Sequence, residues 1–142
     1  MERTIDFSGE VVEWQELLNG TQVLSLEGAS ADGQWSLSGA LSGPRHVEKL
    51  VEVDGFDIEV VLSEHMAVFR YADRPGIVGT VGRILGEANV NIAGMQVSRD
   101  RKGGHALVAM TVDSAIPHAV LEEIVAAIGA ESARQVDLTD LS

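Results

Sequence analysis

The chain contains no cysteine. That excludes disulfides, thiol catalysis and any cysteine-held zinc or iron–sulfur centre built from its own residues. Aromatic residues are scarce at 4%, and 10 Lys and Arg face 22 Asp and Glu, for a formal net charge of -12 and a pI near 4.5. Such a surface repels phosphate backbones and anionic lipid, which argues against nucleic acid or a membrane as the main partner. No apolar run approaches the roughly 20 residues of a spanning helix. Residues 1–14 lack the pattern of a secretory signal, so a cytoplasmic, soluble protein is the expectation.

What is present suits a packed structure. The 142 residues are 45% hydrophobic, enough for one ordinary domain or two small ones. Thirteen of the acids but only four of the bases lie in residues 1–70, an asymmetry that suggests two units joined near residues 62–65. No proline- or serine-rich linker marks the join, so the units are expected to pack together. The expected division is residues 1–65 and residues 66–142.

The first unit reads as mostly β. Residues 11–18 are too brief a pattern to separate a short helix from an irregular lead-in. Alternation at residues 22–26, 35–41, 47–53 and 56–62 predicts strands, with turns at Ala31-Asp32-Gly33, Gly43-Pro44 and Asp54-Gly55. Asp54-Gly55 is the strongest two-residue hairpin signal in the chain. Arg45, His46 and Lys49 form the one local group of bases: a small anion site on one reading, solvated charges on the other.

The second unit is more sharply patterned. A strand is predicted at 66–71, then a helix opening at Asp73-Arg74-Pro75-Gly76 and running to about Ala88, with Asp73 as its N-cap and Pro75 in its first turn. Ile77, Val78, Val81, Ile84, Leu85 and Ala88 share one helical face, and Asn89 or its neighbours end the helix. Strands follow at 90–99 and 105–113 around a Lys102-Gly103-Gly104 turn. A second helix opens at Ser114 and Pro117, turns Val120, Leu121, Ile124, Val125 and Ile128 inward, and closes at Gly129. An edge strand at 132–138, with Val136 and Leu138 inward, completes the set. The order strand, helix, strand, strand, helix, strand is the ferredoxin-like arrangement, so the fold class is α+β: a βαββαβ domain preceded by a small, mostly β unit. Right-handed crossovers put both helices on one sheet face, leaving the other to be covered or polar. The predicted strands at 90–99 and 105–113 carry no aromatic side chain, which excludes base-stacking RNA recognition on this sheet.

The first strand–helix junction offers the best ligand chemistry. A helix N-terminus suits a carboxylate. Gly76 lets a ligand approach the backbone, Asp73 can balance an ammonium, Tyr71 adds a hydroxyl on an apolar body, and Asn91 carries both a donor and an acceptor. A free amino acid matches these groups. The competing reading is that Asp73 only caps, Asn91 only serves a turn and Tyr71 is core. Gly79, Gly82 and Gly86 lie on the helix flank away from the apolar stripe, where another helix or subunit could approach. The histidines His46, His65, His105 and His118 fall on four separate elements with no i, i+4 pair, so no metal site is expected. Met66, Met95 and Met110 read as core filler, and Glu122-Glu123 as a solvated helix face. No nucleophile–base pair, phosphate loop or dinucleotide fingerprint occurs, so no catalytic residue is assigned.

The segments Tyr71-Ala72-Asp73-Arg74-Pro75-Gly76, Gly79-Thr80-Val81-Gly82, Val90-Asn91-Ile92-Ala93-Gly94-Met95-Gln96-Val97-Ser98-Arg99 and Gly103-Gly104-His105-Ala106-Leu107 resemble the C-terminal ACT domain of the D-3-phosphoglycerate dehydrogenases. Upstream, Asp32-Gly33, Ser38-Gly39-Ala40-Leu41-Ser42-Gly43 and Lys49-Leu50-Val51-Glu52-Val53-Asp54-Gly55 are similar to the intervening allosteric substrate-binding domain of the long enzymes. The resemblance covers about residues 22–139 and leaves residues 1–21 unplaced.

It implies a regulatory module of serine biosynthesis. ACT domains of that family associate side by side into a continuous sheet and bind L-serine at the interface. The positions matching their ligand residues are Tyr71, Asp73 and Asn91. A homodimer and feedback inhibition by L-serine follow as expectations. The intervening domain binds an anion through basic side chains, a pattern that only Lys49 matches. The catalytic domains, and with them NAD, have no counterpart, and the intervening domain reads as truncated, so no cofactor and no enzymatic activity are expected of this chain alone. Two rival implications are the β-chain of an iron–sulfur L-serine dehydratase and a ligand-free oligomerisation module.

Overall fold

The structure, a computed structural model, describes residues 2–7, 10–13, 23–30, 33–45, 47–100 and 104–141. In the strands before residue 35, at residue 42 and from residue 136 onward, the backbone alone is described. The turn residues Ala31, Asp32, Lys102 and Gly103, together with His46, residues 14–18 and the expected inward placement of Val136 and Leu138, lie outside what is described.

Among the described residues, strands β3 (Val23–Ser30), β4 (Gly33–Ser42), β5 (Val47–Val53) and β6 (Phe56–Val61) form a four-stranded antiparallel meander. The β5–β6 hairpin is made by Asp54 at φ 52 and Gly55 at φ 85, the two positive values that a tight right-twisted hairpin needs. Glu52 reinforces it, accepting from Ser36 Oγ at 2.6 Å and from the Gly55 amide at 3.2 Å.

The second sheet is built by β7 (His65–Ala72), helix α1 (Ile77–Glu87), β8 (Ile92–Arg99), β9 (His105–Val112), helix α2 (His118–Ile128) and β10 (Ser132–Leu141). Its order is β10-β7-β9-β8, antiparallel throughout, as the βαββαβ pattern predicts. Helix α1 ends as its sequence suggests. Asn89 takes φ 64, its amide reaches the Gly86 carbonyl, and the Val90 amide reaches Leu85, so the last carbonyls are satisfied. Gly129, at φ 63, closes α2 in the same way.

Alternation in the central strands buries both faces. Ala67, Phe69 and Tyr71 of β7 and Ala106, Val108, Met110 and Val112 of β9 pack under the helices, with Ile77, Val81, Ile84, Leu85, Ile124 and Ile128. Met66 and Val68, with Leu107 and Ala109, face the other way. There they meet Trp35, Leu37, Leu50, Val53, Phe56 and Ile58 of the small sheet, which covers the face the helices leave open. A buried ion pair crosses this seam. The Arg134 Nη1 of β10 lies 2.5 Å from the Asp54 Oδ2 in the hairpin turn, with side chains 3% and 4% exposed. Asp54 Oδ1 also accepts the Ser36 amide at 3.0 Å.

Three expectations are corrected. The strand from Ser132 is not an edge: β1 (Glu2–Phe7) pairs along it from Glu2↔Leu141 to Phe7↔Val136, and β2 (Glu10–Glu13) pairs with β1. A long unpaired edge invites association, and this hairpin caps it. Residues 11–13 are therefore strand, and residues 1–65 contribute to both sheets, giving the larger one the order β2-β1-β10-β7-β9-β8. Second, Val78 leaves the buried stripe and is 41% exposed. Third, α1 starts at Ile77 with Gly76 as its N-cap, so Asp73 does not cap it. No helix among the described residues is long and apolar enough to cross a membrane.

Candidate ligand site at the strand–helix junction

The junction between β7 and α1 is shaped by two residues with restricted or special backbones. Pro75 disfavours helix at the residue before it. Gly76 then takes φ 89, a value an L side chain tolerates poorly, and swings the chain into α1. The Thr80 amide and hydroxyl both donate to the Gly76 carbonyl, at 3.0 and 2.9 Å. The amides of residues 77–79 therefore precede the helical ladder. Arg74 reaches over to the Ile128 carbonyl at 3.0 Å, tying the start of α1 to the negative end of α2.

Asp73 is held by its backbone and paired by its side chain. Its amide donates to the Gly104 carbonyl at 2.8 Å, and its Oδ2 lies 3.4 Å from the Arg99 Nη1 at the end of β8. Tyr71 is buried below it on the helix face of the sheet. Burial, and secondarily the Asp73 charge, push its phenol above the ordinary value of 10.0, so it is a neutral hydroxyl in use.

Asn91 lies elsewhere. Its Nδ2 donates to Asp113 Oδ2 at 2.8 Å, and its carbonyl accepts the Asp113 amide at 3.0 Å. This couple stands at the start of β8, whereas Asp73 is bound to its far end. Eight strand residues intervene, about 25 Å at the usual rise. Within one protomer the structure thus brings together Tyr71, Asp73 and Gly76 but not Asn91.

The strand between them is open on one side. β8 pairs with β9 and is the terminal strand of its sheet. A bulge at residues 92–94 flips its alternation, so that Met95 and Val97 stand on the helix side. With Val61 and Val78 these are the exposed large hydrophobics among the described residues, so Met95, unlike the buried Met66 and Met110, is not the core filler its sequence suggested. A Cβ built on Gly79, Gly82 or Gly86 would meet nothing within 4 Å, so no close approach among the described residues accounts for these glycines. The edge of β6 lies beside β8: the Glu59 amide donates to the Gln96 side chain, and a cleft of about 280 Å³ between the edges is lined by Val61, Gly94, Met95, Gln96 and Thr111.

The two candidate anion residues are placed differently. Arg45 is exposed in the β4–β5 turn, whereas Lys49 Nζ sits 2.6 Å from Glu59 Oε1. That hydrogen bond and the lysine charge hold the Glu59 carboxyl below its usual range, so Lys49 is already neutralised. Among the described residues, no group of three or more His, Asp or Glu is placed to hold a metal ion.

Sequence reasoning missed the partners Arg99 and Asp113. Both sit at strand ends, but only the β7–β9–β8 register, with Ala72 opposite His105 and Arg99 opposite Ala106, carries Arg99 to Asp73.

Comparison with known proteins decides the family of this half. Residues 65–129 match the model described as the ACT domain. Residues 65–129 are an ACT domain. The chain is 35% identical over 133 residues to the D-3-phosphoglycerate dehydrogenase of Mycobacterium leprae, covering 93% of this chain and 25% of that protein. The enzymes of the same name from Bacillus subtilis and Synechocystis are 35% and 36% identical over 95 and 115 residues. The chain thus spans about a quarter of the length of the curated relatives it matches, and the homology is to their C-terminal, regulatory portion. A match of 133 residues also reaches into residues 1–21, which the motifs had left unplaced. The solved structure titled GqqA, a quorum quenching acylase, aligns over 99% of this chain and 73% of its own at a TM-score of 0.44 and 16% identity, too distant to carry an argument.

Proposed function

We propose that this chain is an amino-acid-sensing regulatory module, in which two ACT domains pair through β8 and hold L-serine between them. Under this reading it serves feedback control of a D-3-phosphoglycerate dehydrogenase and works in the cytoplasm. Under this reading NAD binding and oxidation belong to the part of the relatives' length that these 142 residues do not match.

One observation carries the reading: the complementary groups lie at opposite ends of an unpaired edge strand. Asp73, Tyr71 and Gly76 stand at its Arg99 end and Asn91 at the other. A two-fold axis near Met95 and Gln96 would run the β8 strands of two copies antiparallel and bring the Asp73 of each to the Asn91 of the other. Two such sites would form, one at each end of the seam. Val78, Met95 and Val97, with the open glycine flank of α1, supply the apolar and closely approachable surface such a seam needs. An effector bound there contacts both copies, so it favours the paired arrangement by its differential affinity for that state.

The test joins calorimetry to sedimentation. L-Serine is expected to bind the native chain with one site per protomer, and the chain to sediment as a dimer whose association tightens with serine. Val97→Asp places a charge on the seam and should give a folded monomer that binds serine at least tenfold more weakly. A native chain that stays monomeric with and without serine would rule the reading out.

A further inference from the structure

We infer that Arg99 is the carboxylate-binding arm of the serine site and that, when the site is empty, its guanidinium stands where the ligand's ammonium will go. The inference rests on the function proposed above and identifies a ligand residue beyond Tyr71, Asp73, Gly76 and Asn91.

The ion pair at the junction is built to open. Arg99 Nη1 meets a single Asp73 oxygen at 3.4 Å, not the two-pronged fork that makes arginine–carboxylate pairs strong. The Arg99 side chain is 54% exposed, so releasing it strands no buried charge. Asp73 is more enclosed, at 19%, so an opposite charge is worth more to it than to Arg99. The acids nearby are engaged elsewhere. Asp100 accepts the His105 amide at 2.8 Å, while Glu131 bridges Arg70 and His105 at 3.2 and 2.6 Å. Arg99 is thus free to change partners, and among the described residues Asp73 has one cation to exchange.

A zwitterion is the ligand that exploits this. Its ammonium replaces the guanidinium against Asp73, and its carboxylate takes the released guanidinium in a bidentate grip. Each charge in the site keeps an opposite neighbour before and after. A bare amine would leave Arg99 unpaired, and a bare carboxylate would have to compete with Asp73 for it. The pair therefore selects α-amino acids over either half of their chemistry. The neutral Asn91 of the second copy can then donate to one end of the ligand and accept from the other.

Calorimetry on the native chain and on Arg99→Gln and Arg99→Lys, each with L-serine and with L-serinamide, tests the assignment. Serinamide keeps the ammonium and hydroxyl but lacks the carboxylate. The native chain should prefer serine to serinamide by about tenfold or more, the scale of one charged hydrogen-bonded contact. Arg99→Gln should bind serine about tenfold more weakly and serinamide about as before, collapsing the preference. Arg99→Lys, which keeps the charge and loses the fork, should fall between. If native protein binds serine and Arg99→Gln binds it equally well or better, Arg99 is only a competitor and the inference fails while the proposed function stands. If native protein binds neither compound, both fall together.

Discussion

A buried ion pair crosses the apolar seam between the two sheets, and its removal should be among the most damaging single changes available. Asp54 and Arg134 are 4% and 3% exposed, 80 residues apart in sequence, and joined at 2.5 Å. Asp54→Asn is the sharpest perturbation. Asparagine also tolerates the left-handed backbone that Asp54 adopts at φ 52, and its amide oxygen can still accept the Ser36 amide. What disappears is the negative charge that Asp54 holds against the buried Arg134 guanidinium. Breaking a buried pair from one side costs about 3–5 kcal/mol. Against a total stability of about 5–15 kcal/mol, that is a fifth of the total or more.

A double-mutant cycle in urea reads this directly. Unfolding is followed by far-UV dichroism and by tryptophan fluorescence in a Trp14→Phe background, which leaves the fluorescence to Trp35, buried in the same seam. Arg134→Met should cost a comparable amount, because it strands the carboxylate instead. The double variant should recover most of one penalty, giving a coupling of a few kcal/mol, since two neutral side chains in that space need no counter-ion. In Asp54→Asn the fluorescence transition should also precede the dichroism transition, as the small sheet lifts before the helix-backed sheet melts. A cost below 1 kcal/mol for Asp54→Asn, or single costs that simply add, would refute the idea that this pair is desolvated and bears on the seam.

Two further expectations follow from the junction. Tyr71 is the only tyrosine in the chain, so tyrosinate absorbance reports it alone, and its midpoint should lie above 10.0 and drop part of the way back in Asp73→Asn, burial being the larger cause. The sign for stability follows: below pH 10 the phenol contributes nothing, and above it the unfolded chain loses the proton first, so stability falls until the folded phenol also ionises; a midpoint at 10.0 in the native protein would contradict the burial. Gly76→Ala should cost about 1–2 kcal/mol in urea melts from backbone strain at φ 89 alone, because a Cβ there meets nothing within 4 Å, and an unchanged melt would mean the junction relaxes freely.

What could be read from the residues was whatever a short stretch of chain decides for itself. Asp54-Gly55 makes its hairpin because two adjacent residues accept positive φ, and the strand expected at 47–53 is bounded as observed because Gly43-Pro44 and Asp54 punctuate it on both sides. Asn89 and Gly129 end their helices for the same local reason. Misreadings arose where a residue's role depends on a distant partner. Asp73 has the chemistry of a cap, but Gly76 takes the cap position and the register of three strands delivers Arg99 to the carboxylate instead. Val78 fits the apolar stripe by periodicity, but the sheet beneath α1 ends at β8 and leaves it uncovered. The strand at 132 looks terminal until the first residues of the chain are known to pair with it. The proposed site sits at the limit of this logic. Its two halves lie next to each other in no element or protomer, so a motif can name Asp73 and Asn91 while, under the proposed pairing, they meet only across two copies.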